Sequence, residues 1–265
     1  MGILNVTPDS FADGGRYLDP DRAAEMAASL EADGADIIDI GGESTRPGAD
    51  PVSEEDELAR VIPVLDKVVS QVSIPVSVDT YKGAVAQHAI DHGASIVNDI
   101  SALGYDPRLV DVLVATDVPI VLMHNRGRPR EMYHDAHYEN TPGEISGELA
   151  RVVERATDAG VSPEQIIVDP GLGFAKQAAH SFRALASVTA LRELDHPILV
   201  GPSRKSFLTR VLGERLPSDR EWGTAAAVTA AVLGGAHIVR VHGVGAMADV
   251  VKVADELVAS SEPMS

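Results

Sequence analysis

Eight short apolar runs, rich in β-branched residues and separated by helical patterns, constrain this chain more than any other feature of its sequence. They are Gly2–Val6, Asp36–Ile40, Pro75–Val78, Ser95–Asn98, Pro119–Met123, Ile166–Asp169, Ile198–Gly201 and Ile238–Val241. Their apolarity is continuous rather than alternating, which is the pattern of parallel strands covered on both faces. Eight strand–helix units in 265 residues predict an α/β chain closed into one (β/α)₈ barrel, with a doubly wound open sheet as the second choice. No linker rich in Pro, Gly or Ser divides the chain, so residues 1–265 read as a single domain. An apolar content of 45% with only 4% aromatic residues points to a core packed by Val, Ile, Leu and Ala.

Helix punctuation falls between the runs. Asp19-Pro20, Asp106-Pro107, Thr141-Pro142 and Ser162-Pro163 each set a capping side chain before a proline suited to the first helical position. Gly34, Gly93 and Gly160 stand where helices should stop. The acidic run Ser53-Glu-Glu-Asp-Glu57 reads as an N-cap followed by acids favoured by the helix dipole, rather than as a metal site. Loops after the first, second and fifth strands are long and polar, while returns from helix to strand are short. The long loops therefore gather at the carboxyl ends of the strands, the face where barrel active sites lie.

A formal net charge of −18 would repel nucleic acid and anionic membranes, so an anionic substrate has to be held by a local cluster of cations. The chain has no cysteine, which excludes disulfides, thiolate catalysis and Cys-based zinc sites and suits a reducing, cytoplasmic setting. No apolar run approaches the roughly 18 residues that a membrane helix needs. The chain opens directly in a strand, which leaves open whether residues precede Met1.

Nearly every strand end delivers a polar group. In order these are Asn5, Gly41-Gly42 with Thr45 and Arg46, Asp79, Asn98 with Asp99, Met123-His124, Asp169, Ser203 to Ser206, and Arg240 with His242. Any one of them is explained as a cap or a surface residue; together they indicate a small-molecule site. Asp79, Asn98 and Asp169 come from three strands, and carboxylates with an amide suit a flat heterocycle bearing amino and ring N–H edges. Arg46, Lys205, Arg240 and His242 make a second, cationic set suited to phosphate oxygens. A cyclic, amine-bearing ring carrying a phosphate or diphosphate fits both. After the sixth run Pro170 stops the ladder, Gly171 and Gly173 let backbone approach a ligand, and Phe174 adds an apolar face. Lys176 reads as a loop or helix-start residue of undecided role, and His134 and His137 as solvated loop residues rather than a zinc pair.

Two longer segments, Met1-Gly-Ile-Leu-Asn-Val-Thr-Pro-Asp-Ser-Phe-Ala-Asp-Gly-Gly15 and Asp39-Ile-Gly-Gly-Glu-Ser-Thr-Arg-Pro-Gly48, are followed by six shorter ones. These are Ser77-Val-Asp-Thr80, Val97-Asn-Asp-Ile100, Met123-His124 with Arg126-Gly127, Asp169-Pro-Gly-Leu-Gly-Phe174, Ser203-Arg-Lys-Ser206 and Arg240-Val-His242. In type and order they resemble the dihydropteroate synthases of the pterin-binding barrel family, over essentially the whole chain. The resemblance implies a reaction in folate biosynthesis in which p-aminobenzoate displaces diphosphate from (7,8-dihydropterin-6-yl)methyl diphosphate, giving 7,8-dihydropteroate.

Carried over by position, the resemblance implies that Asp79, Asn98, Asp169 and Lys205 bind the pterin, with Met123, Phe174 and Arg240 near or over its rings. It implies Mg²⁺ on the diphosphate with Asn5 as a metal ligand, Arg46, Arg240 and His242 at the diphosphate oxygens, and Ser206 at the benzoate carboxylate. Thr45 joins the substrate contacts, and the catalytic set is Asp79, Asp169, Lys205 and Arg46. Loops 8–18 and 43–52 are expected to close over the diphosphate, with Thr7, Pro8, Asp9, Ser10 and Phe11 contributing to the aminobenzoate pocket. A homodimer is implied, through helices remote from the site, with the apolar helix around Thr224–Gly235 as a contributor. The chain departs from the family at Gly243, where Asp usually follows Arg-Val-His. Two other readings stand beside this one: a pterin-dependent methyltransferase, which has no need of a diphosphate cluster, and an inactive pterin-binding barrel, hinted at by Gly243.

Overall fold

The apolar runs form parallel strands. The structure, a computed structural model, describes residues 1–7, 19–45, 48–128 and 136–261. Strands β1 (Gly2–Asn5), β2 (Ile38–Gly41), β3 (Val76–Asp79), β4 (Ile96–Asp99), β5 (Ile120–Met123) and β6 (Ile166–Asp169) pair in sequence order. β7 (Leu199–Val200) and β8 (Ile238–Val239) pair with each other. Single parallel bridges, Val168 with Ile198 and Gly2 with Val241, join the two sheets at both edges and close the ring. The result is the expected (β/α)₈ barrel.

Helices α1 (Pro20–Ala32), α2 (Glu54–Gln71), α3 (Gly83–Asp91), α4 (Arg108–Thr116), α5 (Thr141–Asp158) and α6 (Ala178–Ala186) follow the first six strands. The one-turn α7 (Thr209–Leu212) and then α8 (Glu221–Leu233) follow β7, and α9 (Val244–Ser261) follows β8. β2, β4, β5 and β6 are buried along their whole length, which is why their sequences show no alternation. Leu4, Ile38, Ile40, Leu65, Leu113, Ile120, Leu122 and Leu149 belong to the main core. Each such side chain contributes about 1.5–3 kcal/mol by leaving water. A smaller cluster of Met1, Val121, Ile167 and Leu199 packs separately, and a third, of Tyr81, Ile100 and Met123 with Phe174 against it, lies at the carboxyl ends of the strands.

Asp19 caps α1 through Asp21 N and Arg22 N, and Ser53 caps α2 through Asp56 N. Gly34, Gly93 and Gly160 take φ near +100° just beyond the ends of α1, α3 and α5, as their positions require. Three expectations shift by a residue or a helix type. Asn140, not Thr141, caps α5, because Thr141 is already the first helical residue and its hydroxyl is buried without a partner among the described residues. Ser162 starts a short 3₁₀ turn at Pro163–Gln165 rather than an α-helix. Asp106 receives the Arg108 N–H, so that Pro107, not Asp106, precedes the first residue of α4.

Candidate active site

Register brings the polar strand ends together. Asn5, Gly41, Asp79 and Asn98 lie directly opposite one another across β1 to β4, so their side chains share one face. Gly41 leaves the gap between two of them: a Cβ there would lie 3.4 Å from Asp79 Cβ and 3.7 Å from Asn5 Oδ1. Two residues earlier on β2, and therefore on the same face, is Asp39. Arg240, just after β8, reaches both acids, with Nε 2.6 Å from Asp39 Oδ2 and Nη2 2.7 Å from Asp79 Oδ2. Asn98 Nδ2 donates to the same Asp39 oxygen at 3.1 Å. Burial raises the Asp79 carboxyl to about 7, with Arg240 pulling it down and Asp39 pushing it up.

Across the mouth, Asp169 ends β6 in register with Met123 of β5. Its Oδ1 accepts the Gly171 N–H at 2.6 Å, and burial raises its pKa against the attraction of Lys205. Burial likewise brings the Lys205 ammonium down to about 8, opposed by Asp169. Lys205 donates to the Leu172 carbonyl and stands 4.8 Å over the Phe174 ring. Gly171 takes φ +66°, and a Cβ on it would collide with the His124 carbonyl, so glycine is needed for β5 and the turn after β6 to meet.

On the rim, Ser203 Oγ accepts the His242 N–H at 3.1 Å and lies 2.9 Å from His242 Nδ1. Its own hydrogen is available to Nδ1, and in that tautomer Nε2 carries the ring proton as a donor. Ser206 is exposed at the start of the 3₁₀ turn Ser206–Leu208. Thr45 is half-buried in the segment after β2. That segment is anchored through Glu43, which accepts from Tyr81 Oη at 3.0 Å and pairs with Lys82, itself paired with Glu57.

The structure therefore brings together Asn5, Asp79, Asn98, Met123, Asp169, Phe174, Lys205 and Arg240. Arg46 lies outside the described residues, as do Pro8, Asp9, Ser10, Phe11 and His134. His137 is exposed, and among the described residues no group of three or more His, Cys, Asp or Glu is placed to hold a metal ion. The cationic and acidic sets are not separate halves, because the Arg240 guanidinium lies between two of the carboxylates. Asp99 is a turn residue: it accepts from Ser101 N at 2.7 Å and Leu103 N at 2.6 Å, holding Ala102 and Leu103 at positive φ. Sequence reasoning missed Asp39, whose one signal was an acid inside an apolar strand. It also left Lys176 and His124 without roles, although both are buried beside the site.

The family model described as "Pterin binding enzyme" matches residues 1–242. The chain belongs to this pterin binding enzyme family. Within it, the dihydropteroate synthase of Synechocystis sp. (strain ATCC 27184 / PCC 6803 / Kazusa) is 47% identical over 257 residues, covering 97% of this chain and 89% of its own. A Yersinia pestis dihydropteroate synthase solved as a sulfonamide drug complex superposes with a TM-score of 0.92 at 38% identity, covering 98% of this chain and 94% of its own. A Xanthomonas albilineans dihydropteroate synthase solved with 4-aminobenzoic acid gives 0.91 at 40% identity, covering 99% and 93%. Gly243 replaces the family's usual acid after Arg-Val-His, and a Cβ there would collide with Glu221 Oε1 unless that side chain shifted. The Glu221 carboxylate, paired with Arg204 Nε at 2.9 Å, fills the space that an Asp side chain would take.

Proposed function

We infer that this chain is a dihydropteroate synthase, joining (7,8-dihydropterin-6-yl)methyl diphosphate to p-aminobenzoate in folate biosynthesis. The observation that carries this reading is the convergence of Asp79, Asn98 and Asp169 from three strands on one barrel mouth with Lys205 and Arg240 among them. Family membership and near-complete coverage of dihydropteroate synthases support it.

In this reading the carboxylates of Asp79 and Asp169 and the Asn98 amide take the amino and ring N–H edges, while Met123 and Phe174 wall the ring. Lys205 offers its ammonium to the ring's acceptor atoms. As the exocyclic C–O bond breaks, its electron pair leaves with the diphosphate and positive charge spreads into the pterin. Asp79 and Asp169 stabilise that charge, and Arg46, Arg240 and His242 hold the departing anion. The aniline nitrogen of p-aminobenzoate, neutral at pH 7, forms the C–N bond and releases its proton to solvent, with its carboxylate near Ser206. No side-chain nucleophile is needed.

Mg²⁺ is proposed on the diphosphate with Asn5 as its protein ligand. One amide oxygen at the mouth fits a cation that arrives with phosphate oxygens and keeps water in its shell. When bound, Mg²⁺ neutralises charge on the departing diphosphate. A cytoplasmic location is proposed from the absence of cysteine; among the described residues no helix is long and apolar enough to cross a membrane. A homodimer is proposed through α8 and its surroundings, where Trp222 is 87% exposed and Leu216, Leu233 and Leu257 are exposed too. Sedimentation tests the stoichiometry.

The methyltransferase reading leaves Arg46, Arg240 and His242 without a diphosphate to serve. The inactive reading loses its hint, since Glu221 supplies a carboxylate beside Gly243. Purified protein with both substrates and Mg²⁺ is expected to form dihydropteroate and diphosphate, with Asp169→Ala abolishing both. Pterin binding without diphosphate release overturns the reading.

A further inference from the structure

We propose that Asp39 is a positioning residue of this pocket, locking the Asn98 amide and the Arg240 guanidinium into the orientations in which they meet the ring. The proposal rests on reading the site as a pterin pocket. Asp39 itself sits one layer below the mouth, 0% exposed, in the Ile-Asp-Ile-Gly strand β2. An acid is costly to bury there unless it is paired and hydrogen-bonded. Asp39 Oδ2 receives two donors, Arg240 Nε at 2.6 Å and Asn98 Nδ2 at 3.1 Å.

A carboxylate only accepts, so it decides which way the amide faces. One Asn98 hydrogen is turned inward to Asp39. The carbonyl oxygen and the second hydrogen are then presented together, an acceptor beside a donor. That edge complements a heterocycle in which a ring nitrogen adjoins an amino group. Were Asp39 uncharged and able to donate, the amide could turn over and offer the reverse order.

Arg240 is fixed by the same oxygen. Its Nε is held by Asp39 and its Nη2 by Asp79 at 2.7 Å, and two points on a planar fork set its plane. Asp39 Oδ1 is buried with no hydrogen-bond partner among the described residues, as is the hydroxyl of Ser77, its neighbour in register. A group tuned for stability alone would be better satisfied. The charge of Asp39 also acts on Asp79, which faces Arg240, Glu57 and Asp99 as well and interacts with Lys205. Asp39 pushes the Asp79 carboxyl upward, so neutralising it lets Asp79 ionise at lower pH.

The test uses the full chain with Asp39→Asn, nearly isosteric, checked for folding by circular dichroism. The expected results are a KM for the dihydropterin diphosphate raised at least tenfold and a KM for p-aminobenzoate within twofold of wild type. The acid limb of the kcat/KM profile should also move to lower pH by half a unit or more. A folded variant with both KM values and the acid limb unchanged overturns the proposal. Should Asp39→Asn not fold, NMR of the wild-type protein decides: one Asn98 Nδ2 hydrogen is expected downfield and protected from exchange, and two ordinary, rapidly exchanging amide hydrogens overturn the proposal. Calorimetry with 6-hydroxymethyl-7,8-dihydropterin separates the two readings. Wild type that binds this pterin but forms no dihydropteroate overturns the synthase reading alone, while Asp39→Asn binding it as tightly as wild type overturns the role of Asp39.

Discussion

Lys176 Nζ lies 2.8 Å from His124 Nδ1, and both side chains are buried, Lys176 to 1% exposure. Nζ also donates to the Phe174 carbonyl at 3.0 Å and the His124 carbonyl at 3.3 Å, so three acceptors surround it, while burial draws its pKa well below the ordinary lysine value against the attraction of Asp169. His124 Nε2 then donates to Glu148 at 3.0 Å, and Glu148 also takes the Arg126 guanidinium. This chain of hydrogen bonds ties the end of β5, the turn after β6 and helix α5 together.

The arrangement predicts a pH dependence of stability. Burial first, and then the nearby Lys176, bring His124 from 6.5 down to about 4, so the folded protein holds a neutral imidazole where the unfolded chain takes up a proton. Stability from this group is complete above pH 6.5 and is lost as pH falls toward 4. Asp99 works in the opposite sense: burial raises it from 3.8 to about 6, so its cost appears as pH rises through that range. Comparing wild type with His124→Gln isolates the histidine. The stability difference from urea melts is expected to grow by about 2–4 kcal/mol from pH 4 to 6.5 and then level off. A difference that does not vary with pH rejects the neutral, buried assignment.

Asp79 predicts the pH profile of the reaction. Its carboxyl is raised from 3.8 to about 7, by burial foremost, while the proposed mechanism needs the carboxylate to stabilise positive charge on the pterin. kcat/KM for the dihydropterin diphosphate should therefore rise with pH through about 7. Asp79→Asn should lower kcat/KM at least a hundredfold and flatten that limb. Steady-state rates from pH 5.5 to 8.5 check both; a wild-type profile flat across this range contradicts the role given to Asp79.

The barrel was legible because strands covered on both faces carry uninterrupted apolar sequence, and Asp79, Asn98 and Asp169 were legible because each ends such a run. Asp39 was not, since it lies inside the second run and the sequence alone does not say which strand residues point inward. Its partner Arg240 is 201 residues away. Lys176 was hidden for a different reason: two of its three acceptors are backbone carbonyls, Phe174 in a turn whose left-handed residues include Ala175 at φ +46° and His124 just after β5. A lysine among glycines reads as exposed until those carbonyls are placed. Asn140 and Thr141 are adjacent and both can cap, so only the backbone distinguishes them.

Gly243 makes a prediction peculiar to this chain. Restoring an acid by Gly243→Asp drives its Cβ into the Glu221 carboxylate, which is held by Arg204. Overpacking and like charge are expected to cost about 1–3 kcal/mol. Adding Glu221→Ala removes the obstacle and leaves one carboxylate near Arg204, so the double variant should recover most of the loss. A double-mutant cycle by urea denaturation should give a coupling of at least about 1 kcal/mol. Simple additivity means that Glu221 does not occupy the place of the missing acid.

Lys82 separates stability from turnover. It is buried between Glu43 and Glu57, and Glu57 is 1% exposed with its other oxygen lacking a partner among the described residues. Lys82→Met strands the Glu57 carboxylate and should cost about 3–5 kcal/mol. Lys82→Met with Glu57→Leu removes the stranded Glu57 carboxylate and should recover most of that loss, the remainder being set by Glu43, whose side chain is also buried. Yet Glu43 still loses its cation and keeps the Tyr81 hydroxyl as a donor, and Thr45 and Arg46 follow Glu43 in the chain. The double variant is therefore expected to be stable but at least tenfold slower, because the diphosphate contact proposed for Arg46 depends on a segment that Lys82 no longer anchors. Urea melts alongside steady-state kinetics check the pair; a double variant both stable and fully active confines the cluster to stability.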